Sequence, residues 1–226
     1  MTPPNTSQAT PAAARDLPRF DSIVFDLDGT LWDTSEACAQ GWNNVIERRG
    51  IDFRKVTAAD IRRVTGKPHE ACVREVCVGL SEQQVKLLSD ESEEEDNRVI
   101  AERGGIIYPG VAEGLPALAA RHPLFIVSNC QAGYIDVFLA FTGFAPLFAD
   151  HECWGNTGQS KSENLRAVIR RNGLRAPLFV GDTAGDEAAA KANDVPFAFA
   201  AYGFGACADP RFRVDSFPAL RALVLA

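Results

Sequence analysis

Ile23-Val24-Phe25-Asp26-Leu27-Asp28-Gly29-Thr30-Leu31 decides how this chain folds. Its first three residues are apolar without alternation, as in a strand buried on both faces of a parallel sheet. The strand then runs straight into Asp26, and a second carboxyl follows two residues later at Asp28. As strand gives way to loop, both carboxyls can point into one crevice while Leu27 turns away. Like charges that close repel unless a cation intervenes or one carboxyl keeps its proton. The pair therefore implies a hard metal ion or acid/base chemistry. With carboxylate oxygens as the donors and few His or Cys candidates, Mg²⁺ is favoured over Zn²⁺.

Three further apolar runs repeat the pattern: Leu124 to Val127 before Ser128, Leu178 to Val180 before Gly181-Asp182, and Val195 to Ala200. Between them lie helical signals. One covers Gln131 to Phe141, with Ile135, Phe138, Leu139 and Phe141 on an apolar side. A second starts at Ser160, with Glu163 positioned to complete a capping box, and stops at Asn172-Gly173. A third covers Asp186 to Asn193. Strand alternating with helix means right-handed βαβ units, hence an α/β fold with a Rossmann-like parallel sheet. In such sheets ligands bind outside the carboxyl ends of the strands, where Asp26, Ser128 and Asp182 would converge.

The stretch from Thr34 to Ile107 reads differently. Gly50, Gly66, Gly79 and Gly104-Gly105 punctuate it, Thr57 with Asp60 and Ser81 with Gln84 are helix caps, and Pro68 marks a first helical position. It shows no clear strand. The predicted organisation is a flexible tail over 1–19, an α/β core over 20–33 and 108–226, and an inserted all-helical cap domain over 34–107. The acidic run Asp90 to Asp96 is expected on one solvated face of the last cap helix.

Composition narrows the function. The 226 residues are 46% hydrophobic and 23% charged, typical of a globular chain with a sizeable core. Thirty acidic residues against 23 Lys plus Arg leave a net charge of -7, which argues against nucleic acid or an anionic membrane as partner. No apolar run approaches the ~18–20 residues of a membrane span. The opening residues lack the basic and apolar regions of a secretory signal. The six cysteines are scattered singly, consistent with reduced thiols and a cytoplasmic setting.

Taken in order, four motifs resemble those of the haloacid dehalogenase-like hydrolases: Asp26-Leu27-Asp28-Gly29-Thr30-Leu31, then Ser128-Asn129, then Lys161, then Gly181-Asp182-Thr183-Ala184-Gly185-Asp186. The resemblance spans about residues 20 to 205. The helical insertion is similar to the cap of the phosphoglycolate phosphatase and β-phosphoglucomutase branch, and Tyr202-Gly203-Phe204-Gly205 resembles a feature of phosphatases there. The resemblance implies a Mg²⁺-dependent phosphatase acting on a small phosphorylated metabolite. Asp26 would be the nucleophile that carries an aspartyl-phosphate, and Asp28 the general acid and base. Asp26, the Asp28 backbone carbonyl and Asp182 would hold Mg²⁺. Ser128 and the Asn129 amide would bind phosphate with Lys161, beside Gly29, while Thr30 and Asp186 would support the site; Asp186 or Glu187 would complete the metal shell. The motif-three lysine is often followed by Pro in relatives, but here Ser162-Glu163-Asn164 follow Lys161.

A phosphomutase is the neighbouring alternative, and no sequence feature separates it from a phosphatase. A phospho-acceptor or binding domain without turnover is the alternative from another class, although such receivers lack D-x-D-G-T followed by a helical insertion. Asp28 and Asp182 count against a true dehalogenase, and Asp28 against a phosphonate hydrolase. His151-Glu152-Cys153 has no partner cluster for a soft metal, Cys130 would lie by the phosphate loop as a packed thiol, and Arg62, Arg63, Lys67 and His69 surround a cap turn that could reach the substrate.

Overall fold

The computed structural model describes residues 19–208 and 210–226; apart from Arg19, the tail expected over 1–19 lies outside them. β1 (Ser22–Phe25) is buried along its whole length. Its alternate residues serve two different layers, with Ile23 and Phe25 in one apolar cluster and Val24 in another. After β1 the chain forms a two-residue strand β2 (Trp32–Asp33) and then helices α1 (Ser35–Arg48), α2 (Ala58–Val64), α3 (His69–Val76) and α4 (Glu82–Arg103). A short β3 (Ile106–Ile107) returns antiparallel to β2 and joins the two connecting segments side by side.

The remainder alternates. It comprises α5 (Val111–Ala119), β4 (Leu124–Ser128), α6 (Tyr134–Thr142), β5 (Phe148–Cys153), the single turn α7 (Trp154–Thr157) and α8 (Lys161–Asn172). Then follow β6 (Pro177–Gly181), α9 (Ala184–Lys191), β7 (Phe197–Ala200), β8 (Phe212–Val214) and α10 (Phe217–Leu225). The six-stranded sheet has the order β5-β4-β1-β6-β7-β8, with every neighbouring pair parallel. Leu115 of α5, Phe138 of α6 and Phe217 of α10 pack with Ile23 and Phe25 on one face. Leu165 and Val168 of α8 and Ala189 of α9 pack with Val24, Phe125 and Phe179 on the other. The α/β reading therefore holds. No helix among the described residues is long and apolar enough to cross a membrane.

Four helices occupy the stretch expected to be all-helical, around a cluster of their own that includes Trp42, Val45, Ile61, Val73 and Leu88. Thr57 and Ser81 cap α2 and α4 through reciprocal boxes with Asp60 and Gln84. The roots of the insertion are shared, because Ala37, Val99 and Ile100 pack in the cluster beneath the sheet.

Several expectations need correction. β3 falls inside the stretch read as strand-free, since two residues carry no periodicity. The helix predicted from Gln131 starts at Tyr134, after Gly133 has turned the chain at φ +79°. The strand predicted from Val195 starts at Phe197. The acidic run is not one solvated face. Glu95 and Asp96 are buried on α4, Glu95 held by Asn44 and Arg98 and Asp96 by Trp42.

Candidate active site

The three central strands β4, β1 and β6 are in register, with Phe25 opposite both Ile126 and Val180. Their carboxyl ends therefore lie together. Asp26 follows β1, Ser128 ends β4 and Asp182 follows β6, and all three are buried. A parallel sheet directs these ends into one crevice, so residues far apart in sequence become neighbours.

Lys161 comes to the same place by a different route. Ser160 caps α8: its hydroxyl accepts from the Glu163 amide at 3.3 Å, while Glu163 accepts from the Ser160 amide at 3.0 Å. That box fixes where the helix begins and so where its first side chain lies. Lys161 donates to Asp26 Oδ1 at 2.8 Å and to Asp186 Oδ1 at 2.6 Å. Desolvation opposes the ammonium, but the charges of Asp186 and Asp26 outweigh it and hold Lys161 protonated.

Asp186 is fully engaged. Its other oxygen accepts from the Thr183 amide at 3.0 Å and the Thr183 hydroxyl at 2.6 Å, closing the capping box of α9. This orients Lys161. Asp182 is different: its Oδ2 accepts from the amides of Phe204 at 2.7 Å and Gly205 at 3.3 Å, while its Oδ1 is buried without a hydrogen-bond partner. Burial and the nearby Asp186 push Asp182 up to about 7 against those amides and Lys161. Burial also raises Asp26 well above the carboxylate range, against the attraction of Lys161.

Carboxylate oxygens of Asp26, Asp182 and Asp186 lie within 4.8 Å of one another. Three buried acids share one lysine, and one oxygen has no partner. This donor set fits a hard divalent cation. Two glycines make the approach possible. A Cβ on Gly29, which has φ +85°, would sit 2.2 Å from Asp182 Oδ2, and one on Gly203 would sit 2.3 Å from the Gly29 carbonyl oxygen.

Asp28 lines the same cavity as Asp26 but has different partners. Its Oδ1 accepts from the Tyr134 hydroxyl at 2.6 Å and the Thr34 hydroxyl at 3.1 Å, and those hydroxyls lie 2.6 Å apart. Burial lifts its carboxyl to about 6 even though both bonds lower it. Two carboxyls two residues apart therefore sit in unlike surroundings: Asp26 faces an ammonium, Asp28 neutral hydroxyls. That division suits one to be a nucleophile and the other a proton carrier.

The structure brings together Asp26, Asp28, Ser128, Asn129 and a cavity beneath the helical insertion. The Ser128 hydroxyl accepts from the Cys130 amide at 3.3 Å. The Asn129 side chain donates to the Gly66 carbonyl at 2.8 Å across to the insertion. Thr30 is buried nearby, its hydroxyl without a partner and its carbonyl accepting from Tyr202 at 2.9 Å. Glu187 is partly exposed and Asp186 buried, so of the two only Asp186 joins the cluster.

Other candidates are committed elsewhere. Arg62 pairs with Asp33 at 2.9 Å, and Arg63 and Lys67 pair with Glu75. His151 faces Asp136, and Glu152 binds Arg171. Burial raises the Cys130 thiol, keeping it protonated.

Sequence reasoning missed Tyr134 and Thr34, and it assigned no role to the amides of Phe204 and Gly205. Tyr134 begins an apolar helix, where a tyrosine reads as ordinary core. Backbone donors leave no signature beyond the glycines that admit them.

A family model described as haloacid dehalogenase-like hydrolase matches residues 23–200. The chain belongs to the haloacid dehalogenase-like hydrolases. A phosphoglycolate phosphatase of Salmonella typhimurium is 28% identical over 236 residues, covering 89% of this chain and 91% of the relative. A 5'-nucleotidase of Pseudomonas aeruginosa is also 28% identical, over 193 residues covering 83% and 85%. Among solved structures, a haloacid dehalogenase-like family hydrolase from Streptococcus pneumoniae superposes with a TM-score of 0.78 at 20% identity, covering 90% of this chain and 97% of that one. That likeness concerns the fold. Within this hydrolase family, the geometry above is what bears on chemistry.

Proposed function

We propose that this hydrolase is a Mg²⁺-dependent phosphatase that cleaves a small phosphomonoester through a covalent phosphate on Asp26. The observation that carries the reading is the Lys161 bridge between Asp26 and Asp186, beside the unpartnered Oδ1 of Asp182. The relatives named above are a phosphoglycolate phosphatase and a 5'-nucleotidase, which supports the same class. Asp26, Asp182 and the backbone carbonyl of Asp28 would hold the ion, which when bound supplies positive charge against the phosphate.

In the first step a carboxylate oxygen of Asp26 bonds to phosphorus and the ester P–O bond breaks. Asp28 gives its proton to the departing alkoxide, which leaves as an alcohol. In the second step Asp28, now ionised, takes a proton from water as the water oxygen bonds to phosphorus. The Asp26–phosphorus ester breaks and inorganic phosphate leaves. Lys161 offsets charge on Asp26 and on the phosphate throughout, and Ser128 with the Asn129 amide fixes the phosphate oxygens. Residues 34–107 act as a cap domain on a core of 20–33 and 108–226, excluding bulk water from the ester. Cys38, Cys72, Cys77, Cys130 and Cys153 are unbridged thiols, which suits a cytoplasmic setting.

The test is steady-state release of phosphate from p-nitrophenyl phosphate, with Mg²⁺ and with chelator. Activity is expected to need the metal and to vanish in Asp26→Asn, with the thermal melt retained. Turnover by Asp26→Asn near the parent's rate, with reversion by deamidation excluded by mass spectrometry, would reject Asp26 as the nucleophile. A stable phosphoprotein formed from acetyl phosphate, with no turnover, would identify a phospho-acceptor instead.

A further inference from the structure

α2 ends at Val64 and α3 begins at His69, so residues 65–68 form a tight turn between them. Thr65, Gly66 and Lys67 line the same cavity as Asp26 and Ser128. Most polar groups of the turn are satisfied within the insertion. The Thr65 hydroxyl donates to the Ile61 carbonyl at 2.9 Å, and the Cys72 thiol donates to the carbonyls of Val64 at 3.3 Å and Lys67 at 3.5 Å. The Gly66 carbonyl is the exception, since it accepts from Asn129 Nδ2 at 2.8 Å. Among the described residues no other hydrogen bond joins 65–68 to the core.

Two features make this contact specific. A carbonyl only accepts, so Asn129 must present its NH₂ group to Gly66. Its Oδ1 is thereby left buried without a partner. That orientation costs free energy which packing alone would not require. Gly66 itself has φ +98°, and a Cβ there would stand 3.1 Å from Thr183 Cγ2. The turn therefore sits against two core loops at once, Asn129 after β4 and Thr183 after β6. Elsewhere the insertion is held through α4, where Asn97 donates to the Ala132 carbonyl at 2.9 Å and accepts from Gln131 at 3.2 Å. Loss of the Asn129 bond would thus release the turn and leave α4 in place.

We propose that Asn129 is a positioning residue that works through both of its amide groups: the backbone amide holds the phosphate, and the side chain docks the α2–α3 turn over it. Phosphate that orders the Asn129 peptide also fixes the side chain that holds the turn, so occupancy of the site and docking of the turn favour one another. The docking rests on the bond to Gly66, and its link to phosphate rests on the phosphatase reading.

The experiment is hydrogen–deuterium exchange of the full chain, read by mass spectrometry of peptides, in the parent, Asn129→Ala and Asn129→Leu. Each is measured with Mg²⁺ alone and with Mg²⁺ plus inorganic phosphate. Leucine keeps the volume of the side chain without its donor, and both variants keep the backbone amide. Without phosphate, peptides covering 58–76 are expected to exchange about fivefold faster in both variants, with those of α4 and α10 unchanged. Phosphate should slow exchange over 58–76 severalfold in the parent and by less than about twofold in the variants. kcat/KM on p-nitrophenyl phosphate should fall by about tenfold in both, as for loss of one hydrogen bond. Parent-like exchange over 58–76 in Asn129→Leu overturns the docking, because volume alone would then suffice. Protection by phosphate of equal size in parent and variants overturns the link, as does an unchanged kcat/KM. Should the variants unfold, seen as faster exchange in α10 as well, the parent decides: phosphate must protect 58–76 more than α4. If the parent neither turns over nor gains protection from phosphate, the phosphatase reading fails, and exchange over 58–76 in the variants still decides the docking.

Discussion

Lys161 occupies the first turn of α8, where the helix dipole disfavours a cation. Two buried carboxylates reverse that preference by holding the ammonium between them. The same contrast of surroundings separates Asp26 from Asp28, and it gives a test at single-residue scale. Asp28, lifted by burial to about 6, has a proton to give to a poor leaving group. Asp28→Asn should slow hydrolysis of an alkyl phosphate by roughly a hundredfold or more, since general acid catalysis contributes on that order. p-Nitrophenyl phosphate, whose phenolate leaves unaided, should lose far less. Parallel rate measurements on the two esters check this, and equal losses would show that Asp28 acts otherwise than by protonating the leaving group. The four acidic and basic residues at the centre were legible because each ends a strand or opens a helix in the sequence itself. Tyr134 was not, because its partner Asp28 is 106 positions away and nothing local distinguishes it from a packing tyrosine.

Whether an element could be read depended on how local its causes are. The boxes at Thr57, Ser81 and Ser160 all formed as their spacing indicated, because each needs only three residues of chain. β1, β4 and β6 announced themselves through unbroken apolar runs, the mark of burial on both faces. β5 and β8 did not. They are the sheet edges, and β5 tolerates Asp150, His151 and Glu152, with Arg171 reaching over to bond both acids. Edge strands carry such charge without loss, so their composition resembles loop. The α8 box offers a test at this scale. Ser160→Ala should lower stability by about 1 kcal/mol, which for a chain of this size is about 2–4 °C in the melting midpoint. Ser160→Thr should restore most of it, as monitored by circular dichroism. An unchanged midpoint in Ser160→Ala would mean that the Lys161 bridge, rather than the cap, anchors the start of α8.

Across the whole molecule, acids buried with unpartnered oxygens cost stability. The periodicity of α4 gave no warning of this: a run of acids reads as solvated from sequence, and only the packing of α1 against α4 turns Asp96 inward beside Gly41 and Trp42. A buried acid that is costly in the folded state should be improved, for stability alone, by removing its charge. An unfolded Asp96 ionises at about 3.9. In the fold, burial holds its carboxyl well above that value. Between the two values the native state keeps a proton that the unfolded chain has released, so the contribution of Asp96 to stability declines as pH rises. Within that window each pH unit removes about 1.4 kcal/mol from the parent. The amide introduced by Asp96→Asn does not titrate and can retain the bond from Trp42. Asp96→Asn is therefore expected to melt within a few degrees of the parent near pH 4 and progressively above it as the pH rises from there, the gap widening by about 3–5 °C per pH unit for as long as Asp96 keeps its proton in the fold. Other carboxylates shift both proteins together and cancel in the difference. Paired melts as the pH rises decide the matter: a gap that stays constant, or narrows, would mean that Asp96 is already ionised in the fold.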